Sequence, residues 1–65
     1  MREPETRATV AEHLRVARLL EVHGDAIGAV LAYREVIRAG VEPAATEARR
    51  SVAVLARRAT PAPAP

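Results

Sequence analysis

Two histidines, a scatter of carboxylates and two arginine pairs are the residues in this chain that could do chemistry. His13 and His23 are ten residues apart. On one helix that is about 1,000° of rotation, so the two rings point to different sides and do not share a close metal site. Neither has a His or Cys three or four residues further on, and the chain contains no cysteine. Glu12, Glu21, Asp25 and Glu35 form no pair with an evident catalytic partner. No Ser, Thr or Tyr stands in a nucleophile context, and the glycine patterns of phosphate-binding loops are missing. No catalytic residue, metal or cofactor is expected, and the sequence reads as a non-enzyme. The remaining charge feature is Arg49–Arg50 and Arg57–Arg58. At 100° per residue Arg50, Arg57 and Arg58 fall near one another, while Arg49 is offset. Such a cluster suits an acidic patch, a phosphate or a nucleic-acid backbone, and equally suits a plain solvated face. No aromatic residue interleaves with it, so base stacking is not offered.

The elements that would carry these residues are three helices. The stretch 24–43, GDAIGAVLAYREVIRAGVEP, has a stop signal at each end. Gly24 suits the left-handed position that closes a preceding helix, and Asp25 is a good N-cap for the next. Between them and Gly40, Ile27, Val30, Leu31, Tyr33, Val36 and Ile37 spread round more than half of the cylinder. A helix apolar on so wide an arc needs cover on two sides. Before it, Val10, Leu14, Ala17 and Leu20 form one stripe, widened by Val16 and Leu19. Glu3–Arg7 and Glu12–Arg15 are spaced as helix ion pairs. The turn at Gly24–Asp25 is so short that the first two helices must lie antiparallel. After Gly40, Pro43 stands at the start of a third helix whose stripe is Ala45, Ala48, Val52 and Leu55. Thr60 precedes Pro61, which pushes it out of the helical region. The ending TPAPAP should be extended and unpacked.

The chain has 65 residues and a net charge of +2, with ten arginines, no lysine and eight acids. Its apolar residues are mostly Ala and Val, with one Tyr and no Phe or Trp. That favours close helix contacts but gives a thin core, worth roughly 3–5 kcal/mol at best. The longest uncharged apolar run, Ala26 to Tyr33, is far short of the ~20 residues needed to span a bilayer. The first twenty residues carry Glu3, Glu5 and Glu12, and no signal peptide is visible. A soluble cytoplasmic protein is expected.

A weak internal repeat appears when each residue is compared with the one 35 positions on: Glu12 with Glu47, Arg15 with Arg50, Leu20 with Leu55. Repeats of this length mark helical arrays. The hairpin itself resembles the tetratricopeptide repeat superfamily. The first helix has a small residue at the crossing, Ala17, and a large one three further on, Leu20. Gly24 is the turn glycine. The second helix has Ala29, then the aromatic Tyr33, then Val36. Pro43 opens the following unit, one or two residues later than that family's closing proline. This spacing is closer to the related pentatricopeptide repeats, but Leu14 and Ala44 stand where those proteins carry polar base-reading residues. His13 also replaces the usual first-helix aromatic. The resemblance therefore implies the fold and speaks against RNA reading.

The expected architecture is all-α: an antiparallel helical hairpin plus a third helix, a TPR-like three-helix unit. One domain is expected over 1–59, with helices at about 5–23, 25–39 and 43–59, followed by a disordered Pro–Ala tail at 60–65. The expected function is that of a small protein–protein interaction module, an adaptor or scaffold. Its candidate surface comprises Val16, Leu19 and Val54 with Arg50, Arg57 and Arg58. The partner would be another protein or peptide, a weak homodimer included. Nucleic acid held by the Arg-rich third helix, or docking as the terminal segment of a larger protein, are the competing expectations. No membrane partner is expected.

Overall fold

At the first turn a single residue ends one helix and begins the next. Gly24 adopts φ 82°, and its N–H reaches Glu21 O at 3.0 Å while the Asp25 N–H reaches Leu20 O at 2.9 Å. These are the two crossed hydrogen bonds of a helix stop built around a left-handed glycine. The Asp25 carboxylate then accepts the Gly28 N–H at 2.8 Å and caps the following helix. Gly28 makes room for this cap, because a Cβ there would lie 2.5 Å from an Asp25 carboxylate oxygen. A connection so compact folds the chain straight back on itself.

The computed structural model describes residues 7–59. It contains α1 (Arg7–Val22), α2 (Ala26–Ala39) and α3 (Ala44–Ala59), and no strand occurs among the described residues. The fold is an all-α three-helix unit, and each helix falls within its expected span. The expected start of the first helix at about residue 5, the Glu3–Arg7 pair, the stop at Thr60–Pro61 and the Pro–Ala tail lie outside the described residues. Gly40, in the left-handed conformation, closes α2 by donating to Ile37 O. The Glu42 carboxylate opens α3 by accepting both the backbone N–H and the hydroxyl of Thr46, at 2.9 and 2.8 Å. Sequence reading credited this start to Pro43 alone.

The middle helix carries the core. α2 packs against both neighbours, whereas α1 and α3 barely touch. Ala29, Tyr33 and Val36 are buried on α2, Val10 and Ala17 on α1, and Ala45, Ala48 and Leu55 on α3. Leu14, Leu20, Val30, Ile37 and Val52 pack against this cluster while partly exposed. The small residues at the crossings let the helix backbones approach, and Tyr33, only 1% exposed, fills the space between them.

Two expectations about packing need correction. Val16 and Leu19 do not widen the buried stripe of α1, since both are exposed. α2 is indeed flanked on two sides, but Ile27 and Leu31 remain 78% and 57% exposed. Two helices shield only part of an arc as wide as the one α2 carries. No ion pair between Glu12 and Arg15 occurs among the described residues, and α1 reaches α3 through Arg18 to Glu47 at 2.6 Å.

Candidate interaction surface

The ion pairs between α1 and α3 fix their relative direction. Arg18 meets Glu47, and three residues further along α1 Glu21 lies 3.9 Å from Arg58, near the far end of α3. α1 and α3 therefore run the same way, with α2 antiparallel to both and behind them. On two helices that run the same way, a fixed offset keeps the same relative direction from turn to turn, and here that offset is 35 residues. Burial repeats with the same shift. Val10, Ala17 and Leu20 face inward with Ala45, Val52 and Leu55, and His13 corresponds to buried Ala48. Arg15 and Leu19 face outward with Arg50 and Val54.

The six candidate surface residues divide on this frame. Leu19, Val54, Arg50 and Arg57 lie on the face that α1 and α3 turn away from α2, and all are exposed. Val22, 81% exposed, belongs with them and is the most exposed large apolar side chain of the group. Arg58 sits at the inner edge of that face, beside Glu21. Val16 stands apart, on the side of α1 remote from α3. Among the described residues Arg50 and Arg57 have no ion-pair partner. Ala48 and Leu55, in the apolar stripe of α3, are buried in the core shared with α2.

The repeat-type positions occupy the interior and the turns. Ala17, Ala29, Tyr33 and Val36 are buried, Leu20 is half-buried, Gly24 makes the left-handed turn, and Pro43 immediately precedes α3. The Tyr33 hydroxyl donates to Glu21 Oε1 at 2.7 Å, which bonds α2 to α1. The ring shares the buried cluster with Ala48 and Leu55 of α3, and Ser51 is near the hydroxyl. Burial pushes the Tyr33 phenol above its ordinary value, and the bond to Glu21 adds to the shift. Sequence reading placed Tyr33 in the core but missed this hydrogen bond, because Glu21 carries no local signal of its distant partner.

The remaining polar groups have structural roles. His23 Nδ1 lies 2.7 Å from Leu19 O, closing the last turn of α1. His13 is half-buried, and its Nδ1 is enclosed without a hydrogen-bond partner among the described residues. The Glu35 carboxyl is held below the usual carboxylate range by its hydrogen bond to Arg38. Among the described residues no three His, Cys, Asp or Glu side chains gather as a metal site would require. No described helix is long and apolar enough to cross a membrane. Compared with known proteins, the chain matches no family profile, no curated protein and no solved structure.

Proposed function

We propose that the chain is a small protein-binding module of the tetratricopeptide-repeat type, an adaptor or scaffold rather than an enzyme. The observation that carries the reading is the apolar surface left uncovered. Val16, Leu19, Val22, Ile27, Leu31 and Val54 all stay exposed on a chain with few large apolar residues. Contiguous apolar surface on a small protein marks a contact site. The face shared by α1 and α3 is the favoured one, because Leu19, Val22 and Val54 combine there with Arg50 and Arg57, cations without an ion-pair partner among the described residues. The recurrence of burial at 35 residues supports the repeat-type assignment, as does the small–aromatic pairing of Ala29 with Tyr33. Binding of nucleic acid is the weaker reading. The chain has one aromatic residue, Tyr33, and it is buried, so the surface offers no stacking platform.

The test is affinity capture from a nuclease-treated extract of the source cells. It uses the full chain, a Leu19→Glu/Val54→Glu variant, and mass spectrometry of what is retained. The expected result is a protein retained in stoichiometric amount by the wild type, resistant to moderate salt, and lost with the variant. Retention abolished by nuclease or falling steeply with salt would instead indicate phosphate-driven binding. Equal retention by both chains would remove this face from the reading.

A further inference from the structure

The outward face of α1 and α3 repeats its chemistry as well as its burial. Inward positions must recur at the 35-residue shift for the core to pack. Outward positions are under no such demand, and two of them recur nevertheless. Arg15 corresponds to Arg50 and Leu19 to Val54, while Val22 corresponds to Arg57. On each helix the three residues follow the spacing i, i+4, i+7 and form one row. Because α1 and α3 run the same way, the two rows lie side by side. The face presents a layer of two cations, then a layer of two apolar side chains, then a layer with one of each. The first and third layers are about 10 Å apart along the helices. All six side chains are exposed.

The chain supplies no carboxylate to balance these cations. Arg15, Arg50 and Arg57 have no ion-pair partner among the described residues. At the seam between the helices, Glu47 and Glu21 are already engaged by Arg18 and Arg58. Asp25 and Glu42 cap α2 and α3, and Glu35 holds Arg38. Glu12 points with Val16 to the side of α1 remote from α3. A partner that covers Leu19 and Val54 also removes water from the arginines beside them, which is unfavourable unless it brings carboxylates of its own. A second copy docking through the same face would set arginine against arginine. A nucleic-acid backbone would meet the cations but set phosphates against Leu19, Val22 and Val54.

We propose that the α1–α3 face binds an acidic amphipathic segment of a partner protein, in which an apolar residue has a carboxylate one helical turn away on each side. The apolar residue would lie on Leu19 and Val54. One carboxylate would meet Arg15 and Arg50, and the other Arg57. The inference rests on the reading of this face as a protein-binding site and adds the chemistry of what it binds. The probe is a fluorescent synthetic helix of about three turns, with Leu at its centre and Glu one turn to either side. One twin carries Lys for both Glu, and a second carries Ser for the Leu. Anisotropy titrations use the full chain, Arg15→Glu/Arg50→Glu, and Leu19→Gln/Val54→Gln. Circular dichroism monitors folding, which the exposed positions of these side chains should preserve.

The Glu peptide should bind the wild type, with the Lys and Ser twins each several-fold weaker. Arg15→Glu/Arg50→Glu should reverse the preference between the Glu and Lys peptides. Leu19→Gln/Val54→Gln should weaken the Glu peptide several-fold without reversing that preference. No binding, equal binding of the Glu and Lys peptides by the wild type, or an unchanged preference in Arg15→Glu/Arg50→Glu would overturn the proposal. So would a short DNA duplex that displaces the Glu peptide more effectively than the unlabelled peptide does, because phosphate would then own the face. Sedimentation showing a wild-type dimer that Leu19→Gln/Val54→Gln dissociates would overturn it in favour of a second copy. Extract capture separates this inference from the reading beneath it. A protein lost with Leu19→Glu/Val54→Glu but retained by Arg15→Glu/Arg50→Glu would overturn the acidic partner and leave the protein-binding module standing. Equal retention by every variant would remove both.

Discussion

At Asp25 the backbone N–H finishes α1 and the carboxylate starts α2. Gly28 donates its N–H to that carboxylate and, having no Cβ, leaves the space the carboxylate occupies. Gly28→Ala should gain about 1 kcal/mol of helix propensity and forfeit a similar amount as the new Cβ displaces the cap. Chemical denaturation should therefore show little net change, and Asp25→Ala should cost much less in the Gly28→Ala background than alone. Additive effects would mean that the carboxylate can cap from another rotamer. Glu42 gives a pH-dependent counterpart at the start of α3. Its hydrogen bonds from Thr46 hold its carboxyl below the usual range. A depressed folded value means the stabilisation is complete above the unfolded pKa of about 4.3 and is lost as pH falls through the folded one. Titration followed by NMR should show Glu42 moving back up in Thr46→Val, and an unchanged Glu42 would contradict the assignment. Tyr33 works at the other end of the scale. Its folded pKa is raised, so its contribution is intact at neutral pH and falls as pH rises past about 10, where the unfolded chain ionises first. Tyr33→Phe should cost about 1 kcal/mol by removing the hydrogen bond to Glu21. Tyr33→Ala should cost about 3–5 kcal/mol, enough to unfold a core this thin. A melting midpoint unchanged in Tyr33→Ala would place the ring at the surface and invert the orientation of α2.

Helix by helix, α2 explains why the unit holds together and why it remains sticky. Its Ala29 lies at a crossing with no exposed surface. Ala29→Leu should destabilise by about 1–3 kcal/mol through overpacking, measured by denaturant titration. A neutral result would indicate a looser bundle than the close-packed crossing observed. The existence and order of the three helices were legible in the sequence because the punctuation is local: Gly24 with Asp25, Gly40, and Pro43 each act on neighbouring backbone. Ala17, Ala29, Tyr33 and Val36 were legible as core because small and aromatic residues recur at helical spacing. What periodicity could not give was the share of an apolar arc that neighbours would cover. Ile27 and Leu31 look as buriable as Val30 and Ile37, and only the position of α3 separates them. The ties Arg18–Glu47 and Glu21–Tyr33 were equally invisible, because their partners lie on different helices. Of the candidate surface residues, Leu19, Val54, Arg50 and Arg57 share an exposed face with Val22, and Val16 stands apart from it.

The molecule as a whole is a middle helix flanked by two parallel ones, with apolar ridges on both of its layers. Such a unit leaves apolar side chains exposed on both layers, and under the proposed reading a partner covers those on the α1–α3 face. Charged substitutions at Leu19 and Val54 should therefore leave the helical circular dichroism and the melting midpoint nearly unchanged, since these side chains contribute little to the core. A collapse of folding in Leu19→Glu/Val54→Glu would show that the face is part of the protein's own packing. The most direct test of the central claim is site-specific photo-cross-linking in the producing cell. A photoreactive residue is placed at Leu19, at Val54, or at Glu35 as a control on the other side of the molecule, and adducts are identified by mass spectrometry. The account predicts a common protein adduct at Leu19 and Val54, and none of that species at Glu35. No protein adduct at Leu19 and Val54, or the same yield at all three positions, would contradict it.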